Sequence, residues 1–132
     1  INSHTQNDIA SIKSILKVLD DNDANIDIKL SVWVDDLIHM APNNVAITNK
    51  ADLSNYLQEQ NSYGYSDMKH EIIEVSSYDD IVLMQGKVIG TFHPKDNGNQ
   101  VAFETKNLFV FRRLSDGSLK IWKIIYNMSP NF

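Results

Sequence analysis

Two alternating runs near the C-terminus constrain the fold most. Val101 to Arg113 alternates so that Phe103, Thr105, Asn107, Phe109 and Phe111 share one face of a strand. Ala102, Glu104, Lys106, Leu108 and Val110 take the other, and the aromatic-rich first set is expected to be core. Ser115-Asp-Gly117 is a tight-turn signal, after which Leu119 to Tyr126 returns as a second strand. Upstream, Val82, Met84, Val88 and Phe92 alternate with Gln85, Lys87 and Thr91, and Ile72, Ile73 and Val75 precede a turn at Tyr78-Asp-Asp80. With a further turn at Pro94 to Gly98, these runs predict a four-strand antiparallel meander.

A sheet must be covered, and the N-terminal part carries helical spacing to cover it. Ile9, Ile12, Ile15, Leu16 and Leu19 recur on one face after Asn7-Asp8, short polar residues suited to capping a first turn. The polar turn Asp20 to Ala24 ends this helix, and Ile26, Leu30, Trp33 and Leu37 resume the helical period. From Leu37 to Met40 the pattern shortens to an edge strand, stopped by Ala41-Pro-Asn-Asn44. Thr48-Asn49 then caps a third helix carrying Leu53, Tyr56 and Leu57 and ending near Asn61. The expected fold is α+β, with three N-terminal helices packed on a curved mixed or antiparallel sheet. At 132 residues and 42% hydrophobic, residues 1–132 are expected to form a single domain.

The inventory excludes several chemistries. There is no cysteine, so thiol nucleophiles, disulfides and thiolate metal sites are absent. His4, His70 and His93 have no ligand spacing with one another or with His39, so no metal is expected. No glycine-rich phosphate loop or serine elbow occurs, Gly86 and Gly90 fall inside a strand pattern, and no cofactor is expected. A formal charge of -5, with no basic cluster beyond Arg112 and Arg113, argues against nucleic acid as a partner. The longest apolar runs are too short for a bilayer, so a soluble protein is expected, cytoplasmic or exported. The start at Ile1, without methionine, reads as the trace of a removed upstream segment.

Two stretches carry a family resemblance: Trp33-Val-Asp-Asp-Leu-Ile-His-Met-Ala-Pro42, and Asn107 to Asn127 with its Asp-Gly turn and strand tryptophan. Both resemble the nuclear-transport-factor-2-like superfamily, also called SnoaL-like, with a cystatin-like cone. The resemblance implies a conical pocket between the concave sheet face and the helices, lined by Trp33, Leu37, His39, Met84, Val88, Asn107, Phe109, Phe111, Trp122 and Tyr126. Such a lining suits a small apolar ligand held by few polar contacts. Laid against the steroid isomerases of this superfamily, the sequence departs at every catalytic role. Ala41 stands at the general-base position, Asn107 at that of the protonated aspartate, and Lys17 or Leu16 near that of the helix-one tyrosine. A steroid isomerase is therefore excluded. The catalytic candidates that remain are His39 as base, Asp36 as its orienter and Asn107 as a hydrogen-bond donor.

The last strand looks apolar on both faces, with Trp122, Ile124 and Tyr126 on one and Leu119, Ile121, Lys123 and Ile125 on the other. That pattern predicts a homodimer through the outer sheet face, with Ile121 in the interface. Two functions stay open. One is a small-molecule pocket protein of SnoaL-like type, extending to a lyase or isomerase acting on an apolar carbonyl compound. The other is a non-catalytic dimerisation or association module whose cone is filled.

Overall fold

The computed structural model describes residues 3–130. The start at Ile1, read above as the trace of a removed segment, lies outside them. In chain order the elements are α1 (Ser3–Asp20), α2 (Ile26–Leu30), β1 (Trp33–Met40), α3 (Lys50–Tyr63), β2 (Gly64–Ser77), β3 (Ile81–Pro94), β4 (Val101–Arg113) and β5 (Leu119–Met128). The strands form one sheet in the order β1-β5-β4-β3-β2. The meander from β2 to β5 is antiparallel, and β1 closes the other edge parallel to β5. Three helices thus pack on a curved, unclosed five-stranded sheet, the expected α+β cone. Among the described residues no helix is long and apolar enough to cross a membrane.

Local chemistry explains most boundaries. The Asn49 side chain accepts from the Asp52 N–H at 2.8 Å, and its amide donates to the Asp52 carboxylate at 2.9 Å, a reciprocal cap that starts α3. Gly117, at φ +87°, supplies the left-handed residue of the β4–β5 turn. In β4 the expected core face holds: Thr105, Asn107, Phe109 and Phe111 are buried. Phe109 and Phe111 join Val82 and Met84 of β3 in one core with Ile12, Ile15 and Leu16 of α1 and Leu53 of α3.

Three expectations are corrected. First, the second helix stops at Leu30, and Trp33 opens β1 instead of continuing a helix to Leu37. Val32, Trp33 and Val34 prefer a pleated surface, and the helical spacing of Trp33 and Leu37 coincides with a bulged strand whose register shifts between Trp33 and Ile38. Second, Asp8 does not cap α1. It lies inside the helix, buried against Arg113. Third, a bulge in β5 resets the face assignment of the last strand. Phe111 pairs with Ile121 and Val110 with Lys123, so Trp122 is the extra residue. Ile121 is consequently 0% exposed in the core, not on the outer face. Trp122 turns out of the concave side, with the Arg112 guanidinium 4.4 Å and the Lys123 amine 4.2 Å from its ring centroid.

Candidate functional site: an aspartate–histidine pair between α1 and β2

The buried stripe of α1 runs through Ile12 and Leu16, and Asp20 stands one turn further along it, at the helix C-terminus. That spacing brings a carboxylate down onto the sheet beside β2. His70, an alternate residue of β2 sharing the phase of Ile72, meets it there. The His70 Nδ1 lies 2.6 Å from Asp20 Oδ1, and the His70 backbone N–H donates to Asp20 Oδ2 at 2.8 Å. β2 is an edge strand, so this N–H has no neighbouring strand to bond, and the carboxylate replaces it. Both carboxylate oxygens are thereby fixed, and the ring orientation with them. The imidazole packs edge-on against Phe109, with centroids 5.7 Å apart, and its side chain is only 6% exposed. No hydrogen bond among the described residues occupies Nε2.

The pair lines an open cleft of about 580 Å³, whose walls are Lys13, Ser14, Leu16 and Lys17 of α1 and Lys69, Glu71 and Ile72 of β2. An imidazole whose Nδ1–H is held by a carboxylate presents its other nitrogen as a proton acceptor, and the carboxylate stabilises the imidazolium formed. Chemically, the arrangement can take a proton from a bound molecule and return it.

The residues expected from the sequence divide into three groups. His39, Leu37, Met84, Val88, Asn107, Phe109 and Phe111 are buried in the cone together with Trp33, and Tyr126 is partly buried against the same core. His39 is held by reciprocal backbone bonds to Ile47, at 2.8 and 2.9 Å, and by parallel pairing with Ile124. Its ring sits among Trp33, Tyr56 and Tyr126, with centroids 5.9, 5.1 and 6.1 Å away. The Tyr56 and Tyr126 hydroxyls approach each other at 3.5 Å, and burial, with Tyr56 adding to it, pushes the Tyr126 pKa up. Burial lowers the His39 pKa to about 4, and its Nδ1 has no partner. Asn107 shares this condition: its Oδ1 is buried without a hydrogen bond, close to Gly86, where an added Cβ would come within 3.0 Å of it.

Two assignments are corrected. Asp36 does not orient His39. It lies three residues away on a strand, on the opposite face, and receives a bidentate hydrogen bond from Arg112 at 2.7 and 3.1 Å. The Arg112 hydrogen bond holds the exposed Asp36 carboxyl below its ordinary pKa. Trp122, displaced by the bulge, meets the core only as a partly buried side chain and carries the Arg112 guanidinium and the Lys123 amine over its ring. Conversely, the sequence reading passed over Asp20 as part of a polar turn and His70 as an isolated histidine. Their signals were positional: a carboxylate on the buried stripe of a helix, and a histidine on the inward phase of a strand.

With this geometry in hand, the fold can be placed among known proteins. No protein-family model and no curated sequence matches the chain. Solved structures do match. A ketosteroid isomerase-like protein from Erwinia carotovora atroseptica superposes with a TM-score of 0.83 at 26% identity, covering 98% of this chain and 100% of that one. The LinA-type3 hexachlorocyclohexane dehydrochlorinase of Novosphingobium barchaimii gives a TM-score of 0.77 at 16% identity, covering 96% of this chain and 90% of that one. A nuclear-transport-factor-2-like protein from Salmonella enterica gives 0.77 at 11% identity, covering 98% and 93%. The chain has the nuclear-transport-factor-2-like, or SnoaL-like, fold.

Proposed function

We propose that the chain is an enzyme of lyase or isomerase type acting on a small, largely apolar carbonyl compound, with His70 as the base and Asp20 as the residue that orients it. The observation carrying this reading is the doubly anchored carboxylate of Asp20, which fixes the His70 ring at the wall of an open cleft. The fold supports the same class, since its solved neighbours include proteins described as a ketosteroid isomerase-like protein and a dehydrochlorinase. The base role moves from His39 to His70 because His39 lacks a carboxylate partner and its pKa of about 4 makes it a weak acceptor of protons near neutrality. His39 and Asn107 do not line this cleft, and their unpartnered atoms, at about 1–3 kcal/mol each, are a cost of the packed core.

The test is hydrogen exchange at carbon in D2O, followed by NMR across a panel of cyclic ketones. The expected outcome is exchange faster than in buffer, reduced about 100-fold or more in His70→Gln and less severely in Asp20→Asn. Undiminished exchange in His70→Gln would remove His70 from the mechanism.

A second reading concerns assembly. Leu108 and Ile125 are exposed on the outer sheet face and adjacent in register, which supports a homodimer through that face.

A further inference from the structure

The turn between β3 and β4 carries the one Asn-Gly step of the sequence, Asn97-Gly98. The β3–β4 ladder ends at the pair Phe92 and Val101, so residues 95–100 lie beyond any strand pairing, and all of them are exposed. Hydrogen bonds hold the turn at either side of Asn97. The Lys95 N–H donates to the Tyr63 carbonyl at 2.9 Å, and the Gly98 N–H donates to Asp96 Oδ1 at 2.8 Å. Asn97 itself sits in the left-handed region, at φ +59°, and its carboxamide makes no hydrogen bond among the described residues. Gly98 leaves its own nitrogen uncovered, where a Cβ would come within 2.8 Å of Asp96 Oδ1. A carboxamide free to turn thus adjoins a backbone nitrogen that neither a strand partner nor a side chain of its own shields.

We infer that Asn97 is a site of spontaneous deamidation, with water as the co-reactant and Asp96 as the group that restrains the rate. The Gly98 nitrogen, its proton lost to solvent base, attacks the Asn97 Cγ. A C–N bond forms between them, the bond from Cγ to the side-chain nitrogen breaks, and that nitrogen leaves as ammonia. Water then opens the resulting succinimide at one of its carbonyls. The new carboxylate lies on the side chain, as aspartate, or on the former main-chain carbonyl, as isoaspartate. Nothing is oxidised or reduced, and the chain gains a negative charge. Glycine permits the attack, because a Cβ at position 98 would crowd the nitrogen as the ring closes. Asp96 acts the other way: its carboxylate holds the N–H and opposes negative charge on that nitrogen. The aspartate product fits the turn, since Asp, like Asn, visits the left-handed region. The atom that isoaspartate adds to the main chain falls outside the ladder, where insertion is tolerated. This modification is independent of the reading of His70 as base.

The experiment holds the full chain in mildly alkaline water enriched in heavy oxygen and follows the tryptic peptide from Asp96 to Lys106 by mass spectrometry. Heavy oxygen is expected at position 97, as both aspartate and isoaspartate, before it appears at any other asparagine. Asn97→Gln is expected to lose the signal, which separates position 97 from Asn99 in the same peptide. Asp96→Ala is expected to quicken the reaction about threefold, by removing the charge beside the attacking nitrogen. Gly98 is not in the left-handed region, so alanine is accommodated there. Introduced into Asp96→Ala, where no carboxylate is displaced, Gly98→Ala is expected to slow the reaction about tenfold. All these residues are exposed in the turn, and an unchanged far-ultraviolet spectrum checks that each variant keeps the fold. Position 97 still unlabelled when another asparagine has reacted would overturn the site. A rate in Asp96→Ala at or below the parent's would overturn the restraining role of Asp96.

Discussion

Asp8 and His39 are buried titratable groups whose consequences for stability lie in different pH windows. Asp8, 3% exposed, accepts two hydrogen bonds from the Arg113 guanidinium at 2.9 Å each, and Arg113 also donates to the backbone carbonyl of Asp79 at 2.8 Å. One arginine thus ties α1 to the end of β4 and to the β2–β3 turn. The Arg113 hydrogen bond holds the Asp8 carboxyl below its ordinary value, so its stabilising contribution is present above about pH 4 and is lost as the pH falls through the lower folded-state value. His39 behaves differently. Burial lowers its pKa from 6.5 to about 4, so the unfolded chain takes up the proton first. Stability should therefore fall between those two values, by on the order of 3 kcal/mol. Urea denaturation from pH 7 to 3 is expected to show this earlier loss, absent in His39→Gln, and then a second loss at lower pH, reduced in Asp8→Asn. At pH 7, Arg113→Ala leaves a buried carboxylate unpaired and should cost about 3 kcal/mol. A His39→Gln curve as steep as the parent's between pH 6.5 and 4 would contradict the buried, unpartnered state of that ring.

At the scale of the elements, the bulge in β5 decides which residues are core. Ile121 pairs with Trp33 on one side and Phe111 on the other, while Trp122 lies beneath two cations on the opposite face. Ile121→Asp would place a charge in the core and is expected to destabilise by about 4 kcal/mol or more. Trp122→Ala loses cation–π contact and part of a half-buried ring's packing against the core, and should cost about 2–3 kcal/mol, less than Ile121→Asp. Equilibrium unfolding of the two variants checks the order, and the reverse order would return Ile121 to the surface. The same bulge marks the boundary of what the sequence reveals. Where alternation runs unbroken, as from Val82 to Val88 and from Phe103 to Phe111, burial follows the pattern read from the chain. A single inserted residue shifts the phase without any compositional mark, and Trp122 and Ile121 exchanged faces for that reason. Trp33 and Leu37 were misplaced similarly, because a bulged strand imitated helical spacing. Of the candidate site, His39 and Asn107 were legible as polar residues on inward phases. The Asp20–His70 pair was not, since its members are joined only when α1 lies along the free edge of β2.

For the molecule as a whole, the open question is how many chains make up the working unit. On the outer face, Leu108 of β4 lies beside Ile125 of β5, which is paired in turn with Met40 of β1, so an apolar row crosses the sheet. Leu108 and Ile125 are 43% and 46% exposed, and Ile73 of β2 extends the row at 56%. Lys87 forms a polar border to it, 3.7 Å from both Glu71 and Glu104. An apolar centre with a charged border is the composition of an interface, and a sheet face can meet its own copy about a two-fold axis so that each row covers the other. The expected unit is therefore a dimer, with the clefts beside α1 facing away from the contact. Light scattering on the eluted protein should give twice the chain mass, and Leu108→Glu with Ile125→Glu should give the chain mass with an unchanged far-ultraviolet spectrum, since both residues are exposed and neither supports the core. A monomeric parent at micromolar concentration, or a double variant that remains dimeric, would detach this row from assembly. Exchange at carbon surviving in the monomeric variant would further show that each Asp20–His70 cleft works alone.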